Sequence, residues 1–159
     1  MALLAVLLVA GGKAGAATQT VLVDVDAAVG SAVQLSISPQ TINFPDADPD
    51  VTPYVNAMEN PVTVTVQAQT EKKKTVTLTV LAQGDLVSGA DSIPINNVRW
   101  TATGEGFAPG TMSKSAAVTA GAWVGPGSRR GTFSYVLANS WNYHRGSYRA
   151  TVVYTLSAP

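Results

Sequence analysis

The sequence predicts an all-β protein, an immunoglobulin-like antiparallel β-sandwich of about eight strands, and three observations carry that prediction. Over residues 60–82, Val62, Val64, Val66 and Ala68 and then Val76, Leu78, Val80 and Ala82 alternate with Thr and Gln. That period of two puts one apolar row on one face of a pleated strand, a surface that β-branched Val and Thr suit. Similar runs recur along the chain, separated roughly every 8–12 residues by Gly, Pro, Asn or Asp turn signals, the spacing of a sandwich or barrel. No window sustains the 3.6-residue apolar period of a helix. A small barrel is the alternative arrangement of the same strands.

The two rows of residues 60–82 read as a hairpin turning at Glu71, Lys72, Lys73 and Lys74. Matching faces sets Val66 opposite Leu78 and Val64 opposite Val80, because an odd slip in register would set Val against Thr. The six large side chains of these rows contribute roughly 9–18 kcal/mol when buried, at ~1.5–3 kcal/mol each. A two-stranded hairpin cannot cover them, so a second layer is required.

The remaining elements follow in order. Residues 1–17 read as an export signal: the apolar run of residues 2–10 is far shorter than the ~20 residues of a membrane span, and Ala14-Gly15-Ala16 offers small residues for cleavage. No basic residue precedes the apolar run, so the signal is expected to begin further upstream. Residues 18–159 form the single domain. Its first stretch, 18–29, has Val21, Val23, Val25, Ala27 and Val29 on one face, and reads as either a first strand or a donor strand. After Gly30-Ser31 the alternation resumes at Val33, Leu35 and Ile37. A short strand is expected at 41–44, before the loop that carries Asp46, Asp48 and Asp50. Residues 83–92 read as a loop, with strands at 93–103, 116–124 and 132–139. The last strand spans 146–159, with Tyr148, Ala150, Val152, Tyr154 and Leu156 on one face.

Composition narrows the function classes. Charged residues are 13% of the 159 and the formal net charge is zero, against about 25% charged in an average soluble domain. This gives no electrostatic footprint for nucleic acid or an anionic membrane, and removes long-range repulsion between copies. With no cysteine, disulfides, thiolate metal sites, cysteine nucleophiles and a lipoprotein anchor are excluded.

Catalysis is not expected. His144 is the single histidine, no nucleophile motif or phosphate loop accompanies it, and glutamates are few. Asp46, Asp48 and Asp50 are the one candidate for a metal, calcium, which prefers carboxylate and carbonyl oxygens. Their spacing resembles the start of an EF-hand loop, but the glycine and distal glutamate are missing and Pro49 interrupts it. The expectation is therefore a solvated turn and no cofactor. Trp141, Tyr143, His144 and Arg145 are candidate glycan-binding residues, since aromatic faces beside hydrogen-bonding groups stack on sugar rings. The preferred expectation for Trp141 and Tyr143 is that they cap the core between two strands. Trp100 and Trp123 read as core residues, and Arg129-Arg130 as an exposed turn pair.

The two ends resemble pilin-type subunits of bacterial surface fibres, including the spore-coat-U-like group. The match consists of the alternating row Val21, Val23, Val25, Ala27, Val29 and a terminal row following Gly146. The resemblance implies an incomplete sandwich completed by the first strand of a neighbour. Residues 21–29 would then be the assembly strand, and Tyr148, Ala150, Val152, Tyr154 and Leu156 the edge of the accepting groove. The physical basis is strand addition, in which backbone hydrogen bonds supply affinity and alternate side chains fill the groove. The chain departs from that pattern in having no disulfide and no penultimate aromatic residue. Its terminal residues 154–159 also resemble, more faintly, the end of WxL cell-wall-binding domains. The expectation is an exported homopolymeric structural subunit at a bacterial cell surface, with no nucleic-acid partner and no membrane insertion. The alternative is a monomeric secreted module that binds a surface glycan or cell wall.

Overall fold

The computed structural model describes Gly30 and residues 32–159. Its strands are β1 (Ala32–Ser38), β2 (Tyr54–Asn56), β3 (Val62–Gln69), β4 (Thr75–Ala82), β5 (Leu86–Ser88), β6 (Asp91–Ile93), β7 (Val98–Thr103), β8 (Gly110–Thr111), β9 (Val118–Val124), β10 (Gly127–Ala138) and β11 (Val152–Ser157). One antiparallel sheet has the order β1-β3-β10-β7-β8, with β2 also paired to β10; a second has the order β11-β4-β9; β5 and β6 pair with each other. The fold is an all-β antiparallel sandwich, as the alternation predicts.

The pairing of residues 60–82 differs from the expected hairpin. β3 pairs with β1 and β10, whereas β4 pairs with β11 and β9, so the two belong to different sheets. Val66 is therefore opposite Leu35 and Arg129 rather than Leu78, and Leu78 is opposite Leu156 and Gly121. The physical reason lies in the rows themselves. Placed in two layers, the row on β3 and the row on β4 cover each other, which a flat hairpin cannot achieve. Val62, Val64, Val66, Val76, Leu78 and Val80 are all buried in one cluster.

Aromatic residues fill the rest of that core. The Phe133 ring, fully buried, meets Phe107 edge-on at 5.8 Å between centroids and Trp100 at 6.1 Å. Trp123 packs edge-on against Phe107 at 4.9 Å. Trp100 and Trp123 are buried as expected, and each indole N–H has an acceptor: Ala108 O at 2.9 Å and Glu105 O at 2.8 Å.

Several elements differ from the sequence expectation. Residues 41–44 form no strand; Ile42 and Phe44 pack against the core while Asn43 is held by the Glu59 carboxylate through its backbone N–H and side-chain amide. The expected loop at residues 83–92 instead holds β5 and most of β6, a short pair that turns at Gly89 with φ of 59° and ends at Ile93. Arg129 and Arg130 lie within β10 rather than in a turn, because the edge of β3 supplies a ladder down to Gly127. Arg129 faces inward beside Trp123, and its Nε is buried without a partner.

One side chain acts as a piece of sheet. β10 pairs with β3 up to Phe133 and with β2 from Val136 onward. Between them, the Asn60 side chain takes the place of a strand: its Oδ1 accepts Tyr135 N–H at 2.8 Å and its Nδ2 donates to Tyr135 O at 2.8 Å. Asn60→Ala leaves the Tyr135 N–H without this acceptor, and the expected loss is about 1–3 kcal/mol, measured as a lower urea midpoint at unchanged m-value.

Candidate functional site

The two flanks of the sandwich are finished differently. On one flank, residues 106–112 hydrogen-bond to both sheets. Ala108 N–H donates to Ala120 O and Ala122 N–H to Gly106 O, each at 2.9 Å, while Met112 N–H donates to Val98 O and β8 pairs with β7. Backbone thus bridges β7 to β9. The other flank is formed by β1 and β11, the end strands of their sheets. Among the described residues, no backbone hydrogen bond joins these two edges.

The side chains along this second flank are apolar but incompletely covered. Leu35 and Ile37 from β1, and Val152, Tyr154 and Leu156 from β11, pack against the core while remaining half-buried. Cα atoms of β1 and β11 come within 8 Å of each other at their nearest points. A strand paired to both edges needs about 9–10 Å between them, twice the strand spacing. An added strand therefore either pairs with one edge and lays its side chains over the seam, or spreads the two.

The structure places only part of the expected groove edge on this seam. Val152, Tyr154 and Leu156 lie on β11. Tyr148 and Ala150 precede the strand: Arg149 instead bridges to Val87, and Tyr148 Oη donates to His144 O at 2.7 Å. Gly146 lies against the β5 end, where a Cβ would collide with Ser88 Oγ. Leu35 and Ile37 on β1, whose alternation the sequence shows without marking them as a groove edge, also line this seam. The assembly-strand residues Val21, Val23, Val25, Ala27 and Val29 lie outside the described residues.

At the seam, Tyr154 reaches across to the other sheet. Its Oη lies 2.6 Å from Tyr135 Oη, a hydroxyl pair in an otherwise apolar core. Burial pushes the Tyr135 phenol far above the usual tyrosine range. Burial also raises Tyr154, partly offset by the bond from Tyr135.

The loops at one end bring two sequence candidates together. Asn139 Nδ2 donates to Ala47 O and Thr52 O, fixing the aspartate loop against the end of β10. Trp141 Nε1 donates to Asp50 Oδ1 at 3.0 Å, and Asp48 Oδ1 accepts the Asp50 N–H at 2.9 Å. Trp141 is 68% exposed. Its companions do not join it in one platform. Tyr143 turns inward to donate to Ala138 O, His144 Nδ1 pairs with Asp91 Oδ1 at 2.7 Å, and Arg145 is exposed. Asp46, Asp48 and Asp50 do not gather around one point, and among the described residues no three ligating side chains do.

At the opposite end, Lys72, Lys73 and Lys74 are exposed on the β3–β4 connection. Gly125 N–H donates to Lys74 O at 2.8 Å and Thr70 Oγ1 to Pro159 O at 2.9 Å, so the β9–β10 turn and the end of β11 gather there too. Gly125, with φ of 80°, sits where a Cβ would press on the Lys72 carbonyl.

Among the described residues, no helix is long and apolar enough to cross a membrane. The tyrosine pair gives a pH prediction. Both phenols are held neutral in the fold, whereas an unfolded tyrosine ionises near pH ~10. Their contribution is thus complete below that pH and lost as pH rises above it. The urea midpoint should be flat from about pH 7 to about pH 9 and fall beyond about pH 10, with a shallower fall in Tyr154→Phe. No protein-family model matches the chain, and no curated protein matches it.

Proposed function

We propose that the protein is an exported, non-enzymatic structural subunit that assembles with copies of itself by β-strand donation or edge pairing at the β1/β11 seam. The observation that carries this reading is the contrast between the flanks. One is bridged by backbone from residues 106–112; the other presents two sheet edges over the half-buried side chains Leu35, Ile37, Val152, Tyr154 and Leu156. Sheet edges of this kind are templates for another strand, and proteins that work as monomers usually block them. The alternating row Val21, Val23, Val25, Ala27, Val29 supplies a strand whose side chains match such a seam. The export-type run at residues 2–10 supports delivery to a cell surface or the extracellular space, and the resemblance of the chain ends to fibre subunits supports a bacterial envelope.

Removing residues 18–29 tests it. The truncated chain should form no polymers by negative-stain microscopy and light scattering, yet bind a synthetic peptide of residues 18–29 and gain thermal stability from it. A truncated chain that polymerises as before, or one that ignores the peptide, overturns the reading.

The exposed Trp141 ring, oriented by its bond to Asp50, favours a second reading as a monomeric glycan- or cell-wall-binding module. On that reading Trp141→Ala abolishes retention of the monomer on immobilised cell-wall glycan; retention equal to wild type removes the site.

A further inference from the structure

Although the net charge is zero, the described charges are distributed unevenly along the strand axis. Lys72, Lys73 and Lys74 stand at one end, with Arg129 and Arg130 on the adjoining part of β10 and Glu71 among them. Asp46, Asp48 and Asp50 stand at the other, secured to Asn139 just beyond the last residue of β10. β10 spans the distance between the ends with 12 residues, about 40 Å at roughly 3.3 Å per residue. Among the described residues the ion pairs are Lys114–Asp85 and His144–Asp91, and neither the three lysines nor the three aspartates pair with a described counter-ion. The aspartate end also exposes Val51 (78%) and the Trp141 ring, which is hydrogen-bonded to Asp50, apolar area that contact with a second copy would cover.

We propose that these ends are the two halves of an axial interface between copies: the Lys72–Lys73–Lys74 end of one subunit docks on the Asp46–Asp48–Asp50 end of the next. The inference rests on the strand-donation reading and adds its direction. Ala32 pairs with Gln69, so β1 begins at the lysine end, and residues 18–29 attach to the body there through Gly30 and Ser31. A donated segment consequently ties the lysine end of the donor to one end of the acceptor's seam. Docking at the acceptor's lysine end sets ammonium groups against ammonium groups. Docking at the aspartate end sets them against carboxylates. Attraction selects the second, and the donated strand then runs antiparallel to β11 and parallel to β1. Charges about 40 Å apart do not interact within one molecule across a screening length of about 8 Å, but they do at an interface. The pattern thus acts on the encounter between copies, as electrostatic complementarity does elsewhere.

Two charge reversals in the full chain test this: Lys72→Glu/Lys73→Glu/Lys74→Glu, and Asp46→Lys/Asp48→Lys/Asp50→Lys. In low salt each alone should assemble at least about tenfold more slowly than wild type, by light scattering, because like charges meet at the junction. An equimolar mixture should recover to within about threefold of wild type, since each junction then pairs opposite charges. If the second variant is destabilised, Asp46→Asn/Asp48→Asn/Asp50→Asn keeps the Oδ1 acceptors, and should be slowed alone and lose the salt dependence of wild-type assembly. Reversed variants that assemble at the wild-type rate, or a mixture no faster than its components, overturn the axial interface. Uptake of the 18–29 peptide by the same variants lacking residues 18–29 separates the two readings: normal uptake there, with no charge dependence of full-chain assembly, leaves strand donation standing. Failure of the wild type to assemble, or of the chain lacking residues 18–29 to bind the peptide, removes both.

Discussion

The facing of two valine-rich rows across the sandwich sets the task of every other element. Val62, Val64 and Val66 on β3 and Val76, Leu78 and Val80 on β4 are buried against one core, and residues 70–74 carry the chain between layers about 10 Å apart. Once the two rows occupy different sheets, each strand still has two bare backbone edges. β1 and β10 take those of β3; β11 and β9 take those of β4. The sheet orders follow from that division. So does the position of Phe133, which β10 brings beside Val62 and turns into the same core.

A two-layer core also has flanks, and covering its faces does not finish them. On the β7/β9 side, residues 106–112 supply backbone to both sheets, while the indoles of Trp100 and Trp123 donate to carbonyls at Ala108 and Glu105. The strap is therefore fixed by two large buried side chains as well as by its ladder. Residues 42 and 44 contribute side chains rather than ladder: Ile42 and Phe44 pack on the core, and the backbone of Asn43 is committed to Glu59 and Met58. Glu59 remains charged in this role, its carboxyl held below the usual range by the two hydrogen bonds from Asn43. Among the described residues β1 keeps a strand edge beside the half-buried side chains of β11.

Periodicity made the buried rows legible and left their pairing hidden. Whether residues 60–82 form a hairpin or an inter-sheet connection, the same residues face the same core, and the length of the connection suits both. The distinction arises only from what the other strands do. β10 was legible only from Thr132 onward because Gly127, Arg129, Arg130 and Gly131 carry turn-like residue types; a neighbouring edge, absent from local sequence, extends the ladder over them. The reverse happened at β11. Tyr148 and Ala150 keep the alternation of the strand, but Gly146 and Arg149 pack on β5 and pull that segment away from β4. Among the candidate residues, SWNYHRG was legible as an aromatic loop. That Asp50, far away in sequence, would orient its tryptophan was not, since the contact spans 91 positions.

Charge shows the same limit of a local or averaged reading. A net charge of zero describes the average field of the chain, the broad term that a polyanion or an anionic surface would feel. It says nothing about where the charges stand. The fold puts the lysines of one turn and the aspartates of another at opposite ends of its longest strand, further apart than the screening length. The two clusters therefore lie in separate local fields, which the net charge of the chain averages away. Among the described residues β1 starts at one of these ends and the edges of β1 and β11 run between them, so the seam proposed for assembly would have a head and a tail.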